Sequence, residues 1–410
     1  MRTHRGRVSA FTLIITLAGC APTSSGTETA ASAEPSVSVE PSVAPVASAS
    51  PSEAVEAFPI EAFADISEEP VSKRAAAKFR AILSALSGRA GMSATVMSAD
   101  GTWSGTAGKA DGVRDVRVDD QFGIASTTKA LVAAQVMQMV EAGELGLDDP
   151  VAGHLPPDLD FDTNGATIRQ LLGHRSGIPE YAETLLLEEL GWDGEITAEL
   201  LQRDPQRHST PAELLEHVPA DRTPAGVRFE YANTNFLLLG LVIEHVRGRP
   251  IVEVLRDGVL SIEGVERLIY QPDEVPTEPM AMPFGESTDV LEVGGGLLPS
   301  LMYVTGVRAG GAMASDAPSL ARWWRAFCAG EIVSQASLTE MTTMHDGYGL
   351  GLYWRHPPGT VGHGGEGIGY VSLAGCLPAS GVVVVVLSNQ MIGGLVGLVA
   401  GSLVNAVLAD

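Results

Sequence analysis

A serine and a lysine three positions apart, Ser126 and Lys129, are the residues of this chain best suited to chemistry. Residues i and i+3 lie on one face of a helix within contact distance. An apolar setting favours the neutral form of a lysine, so its amine could act as a base for the neighbouring hydroxyl. A helix N-terminus at Ser126 would also favour negative charge developing on the attacked group. The pair therefore predicts a serine nucleophile with a lysine base.

The composition of the chain makes this lysine unusual. Basic positions are filled by 22 arginines and only four lysines, and Ser-x-x-Lys occurs once. An arginine could not replace the base, because its side chain does not deprotonate. The alternative, a lysine that caps a surface turn, remains open from this motif alone.

Two further motifs carry polar groups suited to a site. Tyr231-Ala232-Asn233 precedes an apolar helix, on an irregular turn that could point its phenol and amide into one cleft. A turn that caps the helix explains the motif equally well. Glycines on both sides of His363 would let another group approach a strand backbone closely. An exposed strand N–H there could bind an oxyanion. Taken singly, the second motif also fits a glycine-rich surface turn.

The elements that must position these residues follow from the apolar patterns. A nearly all-apolar helix is predicted from near Ser126 to about Glu141. Further elements are a β-hairpin at 92–98 and 102–107, helices at 71–87, 235–247 and 392–408, and strands at 348–353, 361–362, 369–375 and 381–387. This order indicates an α+β domain whose sheet is completed by both chain ends. The last helix could also span a membrane, but its glycines and polar residues favour packing on the sheet.

In their order along the chain, the three motifs resemble those of the serine β-lactamase and penicillin-binding family. The similar branch holds class C β-lactamases, D-alanyl-D-alanine carboxypeptidases and related esterases. The resemblance covers roughly residues 91–410 and includes framework segments at 171–179, 310–315 and 348–351. It implies a β-lactamase/transpeptidase-like fold, in which helices flank an antiparallel sheet beside a mostly helical subdomain.

The resemblance also implies a mechanism. Ser126 would attack a carbonyl and form an acyl-enzyme. Lys129 and Tyr231 would share the proton transfers, and the sequence leaves open which of them is the base in acylation. Asn233 would hydrogen-bond the substrate amide.

His363 stands where many relatives carry the lysine of a Lys-Thr-Gly triplet. It would orient Tyr231 or bind a substrate carboxylate, with a charge that varies with pH. The backbone N–H groups of Ser126 and Glu366, beside Gly365, would form the oxyanion hole. A Glu366 carboxylate facing the cleft would disfavour an anionic substrate. The histidine makes the chain less like dedicated class C β-lactamases and closer to carboxypeptidases and esterases.

The start of the chain has the composition of an export signal. Three arginines precede an apolar run at 10–18, and Leu17-Ala18-Gly19-Cys20 resembles the lipobox of bacterial lipoproteins. We expect a lipoprotein signal peptide at 1–20, lipid attachment to Cys20, and an extracytoplasmic protein held at the membrane by that lipid only. An ordinary signal peptide with an incidental cysteine is the alternative. Residues 21–70 are predicted to be a disordered tether rich in Ala, Ser, Pro and Glu, and 71–410 the hydrolase domain.

Charge and cysteine content limit the possible partners. The net charge is −24, and removing three leader arginines from the 26 basic residues gives 23 − 50 = −27. Nucleic acid is therefore an unsuitable partner. We expect no metal, because no cysteine–histidine cluster has zinc spacing. No cofactor is expected either. Cys328 and Cys376 could pair or remain buried thiols. The oligomeric state is left open.

The resulting functional hypothesis is a serine hydrolase resembling D-alanyl-D-alanine carboxypeptidases, acting on peptidoglycan stem peptides. A β-lactamase or an esterase of small esters would use the same residues. A protein that binds β-lactams or muropeptides without turnover is an alternative of another class, although it would have no use for the whole set of catalytic side chains.

Overall fold

A six-stranded antiparallel sheet forms the centre of the fold. The computed structural model describes residues 56–88, 90–182, 206–276, 280–283, 300–355, 359–367, 369–392 and 394–409. The strands of this sheet are β1 (Met92–Ser98), β2 (Gly101–Ala107), β6 (Tyr353–Arg355), β7 (Thr360–Gly367), β8 (Tyr370–Leu377) and β9 (Val382–Ser388). Their order is β2-β1-β9-β8-β7-β6. Met92 pairs with Ser388, so the first hairpin and the last strand adjoin and both chain ends complete the sheet, as predicted.

Helices cover the sheet and build the part of the chain between its strands. They are α1 (Lys73–Leu86), α2 (Thr128–Glu141), α3 (Ile168–Leu172), α4 (Pro211–Glu216), α5 (Asn233–Arg247), α6 (Ile251–Asp257), α7 (Leu301–Val307), α8 (Ala317–Cys328), α9 (Gln335–Thr342) and α10 (Leu395–Leu408). A small sheet lies among them, with strands β3 (Phe122–Gly123), β5 (Met313–Ser315) and β4 (Ile269–Tyr270) in that order. The predicted α+β class, with its antiparallel sheet and flanking helices, is confirmed.

Both faces of the central sheet are buried. Along β9, Val384 and Val386 belong to the apolar cluster that contains α1 and α10. Val383 and Val385 point the other way, into the larger cluster that contains α2 and α8. Successive strand residues face opposite sides, so a continuous apolar run is what a strand covered on both faces requires. Among the described residues, no helix has the length and apolar character needed to cross a membrane.

The folded region begins earlier than the predicted boundary at residue 71. Phe63 is fully buried, Phe58 is nearly so, and their rings stack with centroids 6.1 Å apart. The Phe58 N–H also donates to Thr339 Oγ1 over 3.0 Å. The prediction of a disordered tether is therefore wrong for residues 56–70, because two aromatic rings bury enough apolar surface to fix the segment. The predicted leader, Cys20 and residues 21–55 lie outside the described residues.

A strand predicted at 348–353 is instead a turn followed by a strand. Tyr348 pairs with Tyr353 in an isolated bridge, and regular strand structure begins only at Tyr353. Between them the backbone of Gly351 has φ +72°, a left-handed conformation that favours glycine. The turn brings Tyr348 and Tyr353 side by side, with ring centroids 5.8 Å apart.

The two remaining cysteines form a disulfide. Cys328 at the end of α8 is bonded to Cys376 in β8, across 48 residues of sequence. The bond attaches α8 directly to the central sheet. Of the two possibilities that the sequence left open, the structure shows the pair.

The buried aromatic residues ahead of α1 are expected to stabilise the fold. Phe63→Ala should lower the free energy of unfolding by about 3 kcal/mol, because it removes a buried ring and leaves a cavity. Glu61→Ala, at an exposed position two residues away, is the matched control and should have little effect. Urea unfolding measures both, and equal stabilities for the two variants would contradict the corrected boundary.

Candidate active site

The Ser126 hydroxyl sits on a tight turn at the start of α2. Residues Ala125–Thr127 form a 3-10 turn, and Ala125 has φ +44°, which non-glycine residues rarely adopt. One hydroxyl from β8 holds this turn: Ser372 Oγ donates to the Ile124 carbonyl over 2.6 Å and lies 2.8 Å from Thr127 Oγ1. Backbone strain supported in this way is typical of functional sites. Ser126 itself remains partly exposed.

Lys129 lies fully buried one helical turn below the serine. Its Nζ is 3.0 Å from Ser126 Oγ, 2.7 Å from Asn233 Oδ1 and 2.6 Å from the Gly310 carbonyl oxygen. Burial lowers the pKa of Lys129 to about 7, and the nearby Glu180 carboxylate opposes this shift. Near neutral pH, the amine is therefore often uncharged.

These three contacts determine where the lone pair of a neutral Lys129 would point. The Gly310 carbonyl can only accept hydrogen bonds, and Asn233 presents its acceptor oxygen. A neutral amine has two N–H donors, which those two oxygens use. Its lone pair is then left for Ser126, whose hydroxyl can donate to it. In the neutral form of Lys129, this geometry would let the serine O–H donate to the amine lone pair.

Tyr231 completes the surroundings of the amine. Its ring centroid lies 5.0 Å from Lys129 Nζ, and Phe236 lies on another side at 5.5 Å. Burial raises the pKa of Tyr231, although a hydrogen bond with Ser126 opposes the shift. The phenol therefore stays protonated at neutral pH.

Glu180 is a site residue that the sequence analysis missed. Its Oε2 accepts the N–H of Asn233, the first residue of α5, and its Oε1 accepts the N–H of Ala182 over 3.0 Å. The helix cap is therefore a distant carboxylate, and the Asn233 side chain is left to bind Lys129. Burial raises the pKa of Glu180. Glu180 directly follows the framework segment at 171–179, and this proximity is the sequence signal that could have identified it.

Strand β7 passes beside the nucleophile at a glycine. A Cβ added to Gly365 would lie 2.2 Å from the Ile124 carbonyl oxygen and 2.7 Å from the Ser126 nitrogen. The Gly364 N–H leaves the sheet and donates to Tyr353 Oη over 3.0 Å. Alternate strand N–H groups point the same way, so that of Glu366 faces the same edge. Pairing with β6 ends at Gly362, before this point.

The side chains of Glu366 and His363 differ in their surroundings. Glu366 is exposed, whereas His363 is buried. The His363 Nδ1 is 2.5 Å from the Gly364 carbonyl oxygen, and its Nε2 is 3.0 Å from Tyr348 Oη. Tyr348 in turn packs edge-on against Tyr231, with centroids 6.2 Å apart. Tyr348 therefore connects His363 with Tyr231. A substrate carboxylate could bind the His363 ring only by displacing Tyr348 or the Gly364 carbonyl from it.

The structure thus brings together Ser126, Lys129, Tyr231, Asn233 and the backbone at 365–366, all named from the sequence. Cys20 lies outside the described residues. Within the part of the chain that the structure describes, no group of His, Cys, Asp or Glu side chains could hold a metal ion.

The pKa of Lys129 gives a direct test of its setting. In ¹⁵N-lysine NMR of the protein, one signal should titrate near pH 7 and disappear in Lys129→Arg; four lysines make the spectrum simple. Glu180→Gln should lower the midpoint further, because it removes the negative charge that favours the ammonium form. A midpoint near the ordinary lysine value of about 10.4 would contradict this description.

The close approach of β7 to Ser126 also predicts the effect of one methyl group. Gly365→Ala should slow acylation of Ser126 by about 100-fold, because the backbone must move away from the nucleophile. Gly397→Ala, in α10 with open space around it, is the matched control. It should keep the parent rate and gain up to about 1 kcal/mol of stability from helix propensity. Equal rates for the two variants would refute the proposed geometry.

Comparisons with known proteins agree with this arrangement. The family model described as Beta-lactamase matches residues 79–404. Protein flp of Staphylococcus aureus is 32% identical over 130 residues, which are 31% of this chain and 23% of that protein. The putative penicillin-binding protein PbpX of Bacillus subtilis is 26% identical over 274 residues, 65% of this chain and 62% of its own. The chain thus matches less than two thirds of each relative's length.

Solved structures share the fold over most of the chain. D-amino acid amidase from Ochrobactrum anthropi SV3 has a TM-score of 0.68 at 22% identity, covering 82% of this chain and 99% of its own. A D-stereospecific amidohydrolase from Streptomyces sp. has a TM-score of 0.64 at 27% identity, with 77% and 94% covered. Together with the family match over 79–404, these findings establish that the chain belongs to the Beta-lactamase family, within the serine β-lactamase and penicillin-binding superfamily of serine hydrolases.

Proposed function

We propose that this protein hydrolyses its substrate through an acyl-enzyme on Ser126, with neutral Lys129 as the base in acylation. The observation that carries the proposal is the set of three contacts around Lys129 Nζ, which leaves the amine lone pair for the serine hydroxyl. The lowered pKa of Lys129, about 7, means that a large fraction of the amine is ready to accept the proton. The raised pKa of Tyr231 disfavours a phenolate base.

The remaining groups have complementary parts in this mechanism. Tyr231, held as a neutral phenol, would pass a proton to the leaving group. The Asn233 amide directs its oxygen to Lys129, so its NH₂ end is the one that would meet a substrate carbonyl. The N–H groups of Ser126 and Glu366 would stabilise the oxyanion.

The substrate we propose first is a peptide ending in D-alanyl-D-alanine, cleaved as by a carboxypeptidase. Membership of a family that includes penicillin-binding proteins supports this choice, as does the likeness to a D-stereospecific amidohydrolase. The leader sequence, with its lipobox-like Cys20, supports an extracytoplasmic location beside peptidoglycan. A lipid on Cys20 would hold the domain there.

A second candidate is an amide or ester hydrolase whose substrate lacks a terminal carboxylate; a β-lactamase that uses the same residues is distinguished below by its consumption of penicillin. Two observations favour the second candidate: the exposed Glu366 carboxylate at the β7 edge, and the engagement of both His363 ring nitrogens. A Glu366 carboxylate would repel a substrate anion, and such an anion could reach His363 only by displacing one of its present partners. Binding without turnover would require the Lys129 arrangement to have no catalytic use.

The first experiment is intact mass spectrometry after brief exposure to benzylpenicillin. The parent should gain the mass of the drug, Ser126→Ala should not, and Lys129→Arg should react at least about 100-fold more slowly, because arginine cannot accept the proton. A persistent adduct favours the carboxypeptidase, and consumption of drug without an adduct indicates a β-lactamase.

The substrate is then assigned by comparing three acyl donors. These are a peptide ending in D-alanyl-D-alanine, the same peptide as its C-terminal amide, and a D-alanine ester. A preference for the amide or the ester over the carboxylate would support the second candidate. Unchanged turnover in Ser126→Ala would refute the acyl-enzyme proposal as a whole, and binding without an adduct or turnover would favour the non-catalytic protein.

A further inference from the structure

His174 is a buried histidine next to the site, in a segment that the sequence analysis treated as framework only. It lies two residues after the end of α3, is fully buried, and has φ +53°. Asparagine, aspartate and histidine are the non-glycine residues that tolerate this left-handed conformation best. The backbone there is thus held in an uncommon shape that aims the ring at the start of α5.

His174 holds the chain on both sides of Tyr231. Its carbonyl oxygen accepts the N–H of Glu230 over 2.8 Å, and its Nδ1 accepts the N–H of Ala232 over 3.3 Å. The residue between these two anchors is Tyr231. Its ring also packs against the imidazole, with centroids 4.2 Å apart and planes inclined by 34°.

The hydrogen bonds determine the tautomer of His174. A backbone N–H can only donate, so Nδ1 carries the lone pair and a neutral ring has its proton on Nε2. Asn235 Nδ2 lies 3.0 Å from Nδ1 and is a second donor, since Ser176 Oγ occupies the amide oxygen of Asn235 at 2.5 Å. Burial and the nearby Lys129 and His363 lower the pKa of His174. The ring therefore stays neutral and acts as an acceptor.

No proton transfer is available to His174 in this arrangement. Its Nδ1 faces two donors, and its Nε2 has no hydrogen-bond partner among the described residues. Its contact with the groups of the proposed mechanism is the packing of its ring on that of Tyr231. Its contacts are those of a residue that acts through another side chain.

We propose that His174 is a positioning residue that places the Tyr231 phenol for proton transfer, by accepting the Ala232 N–H and packing its ring against that of Tyr231. This inference rests on the acyl-enzyme function proposed for Ser126. It assigns to His174 a part in catalysis that framework packing alone would not have.

Two substitutions of His174 distinguish the role of its Nδ1 as a hydrogen-bond acceptor from the effect of having a polar side chain at this position. In His174→Asn, the amide oxygen is attached as Nδ1 is, and asparagine tolerates φ +53°. In His174→Gln, the oxygen lies one bond farther out, at the place of Nε2. His245→Gln, on the exposed side of α5, is the matched control.

The functional measurement is the rate of acylation by benzylpenicillin at saturating concentration, beside its concentration dependence. His174→Gln should acylate about 100-fold more slowly with little change in the half-saturating concentration, because the phenol and not the binding surface is displaced. His174→Asn should recover most of that loss, and His245→Gln should equal the parent. Equal losses in the Asn and Gln variants, or none in either, would overturn the proposal.

A second measurement does not need activity. Amide hydrogen exchange at Ala232, followed by NMR, should be at least about tenfold faster in His174→Gln than in the parent or His174→Asn. If benzylpenicillin and the acyl donors fail to acylate the parent, the function proposed for Ser126 is refuted. Hydrogen exchange at Ala232 then still tests whether His174 fixes the backbone beside Tyr231. Unchanged exchange in His174→Gln would refute that role of His174.

Discussion

A lysine amine excluded from water is the constraint on which the rest of this structure depends. A fully buried ammonium is costly unless its donors are all satisfied, and a buried neutral amine needs fewer partners. Lys129 meets three oxygens, from Ser126, Asn233 and Gly310, which belong to separate parts of the chain. Desolvation favours the neutral form, and Glu180 limits that effect. These two effects together leave the pKa of Lys129 at about 7, so the amine can take up and release a proton at neutral pH.

The side chains around this amine are themselves held from outside their own motifs. Asn233 begins α5 without a side-chain cap of its own, and the Glu180 carboxylate supplies the missing acceptor. The backbone flanking Tyr231 is bound by His174. Both supporting residues come from the stretch after α3, packed against α5. A shared support of this kind keeps the phenol and the amide in fixed relation to the lysine, which catalysis by positioned groups requires.

Much of the fold could be predicted from the sequence because buried positions appear in it as patterns of apolar residues. The apolar run at 381–387 predicted a strand covered on both faces, and the hairpin at 92–107 carried its turn residues. Two predictions failed for local reasons. Phe58 and Phe63 disappear in the average composition of the leading segment, yet two rings suffice to fix it. The stretch at 348–353 has strand-forming residues, but left-handed glycine at Gly351 turns it.

The sequence by itself determined which chemistry was available: one Ser-x-x-Lys, one Tyr-x-Asn and a glycine-flanked His, in an order typical of one family. Only the tertiary structure decided how those groups behave. The pKa of Lys129, the tautomer of His174 and the engagement of His363 depend on which atoms exclude water around them. Lys129 meets acceptors that are 104 and 181 residues away along the chain. No local pattern specifies such neighbours, because they are brought together by the packing of the whole domain.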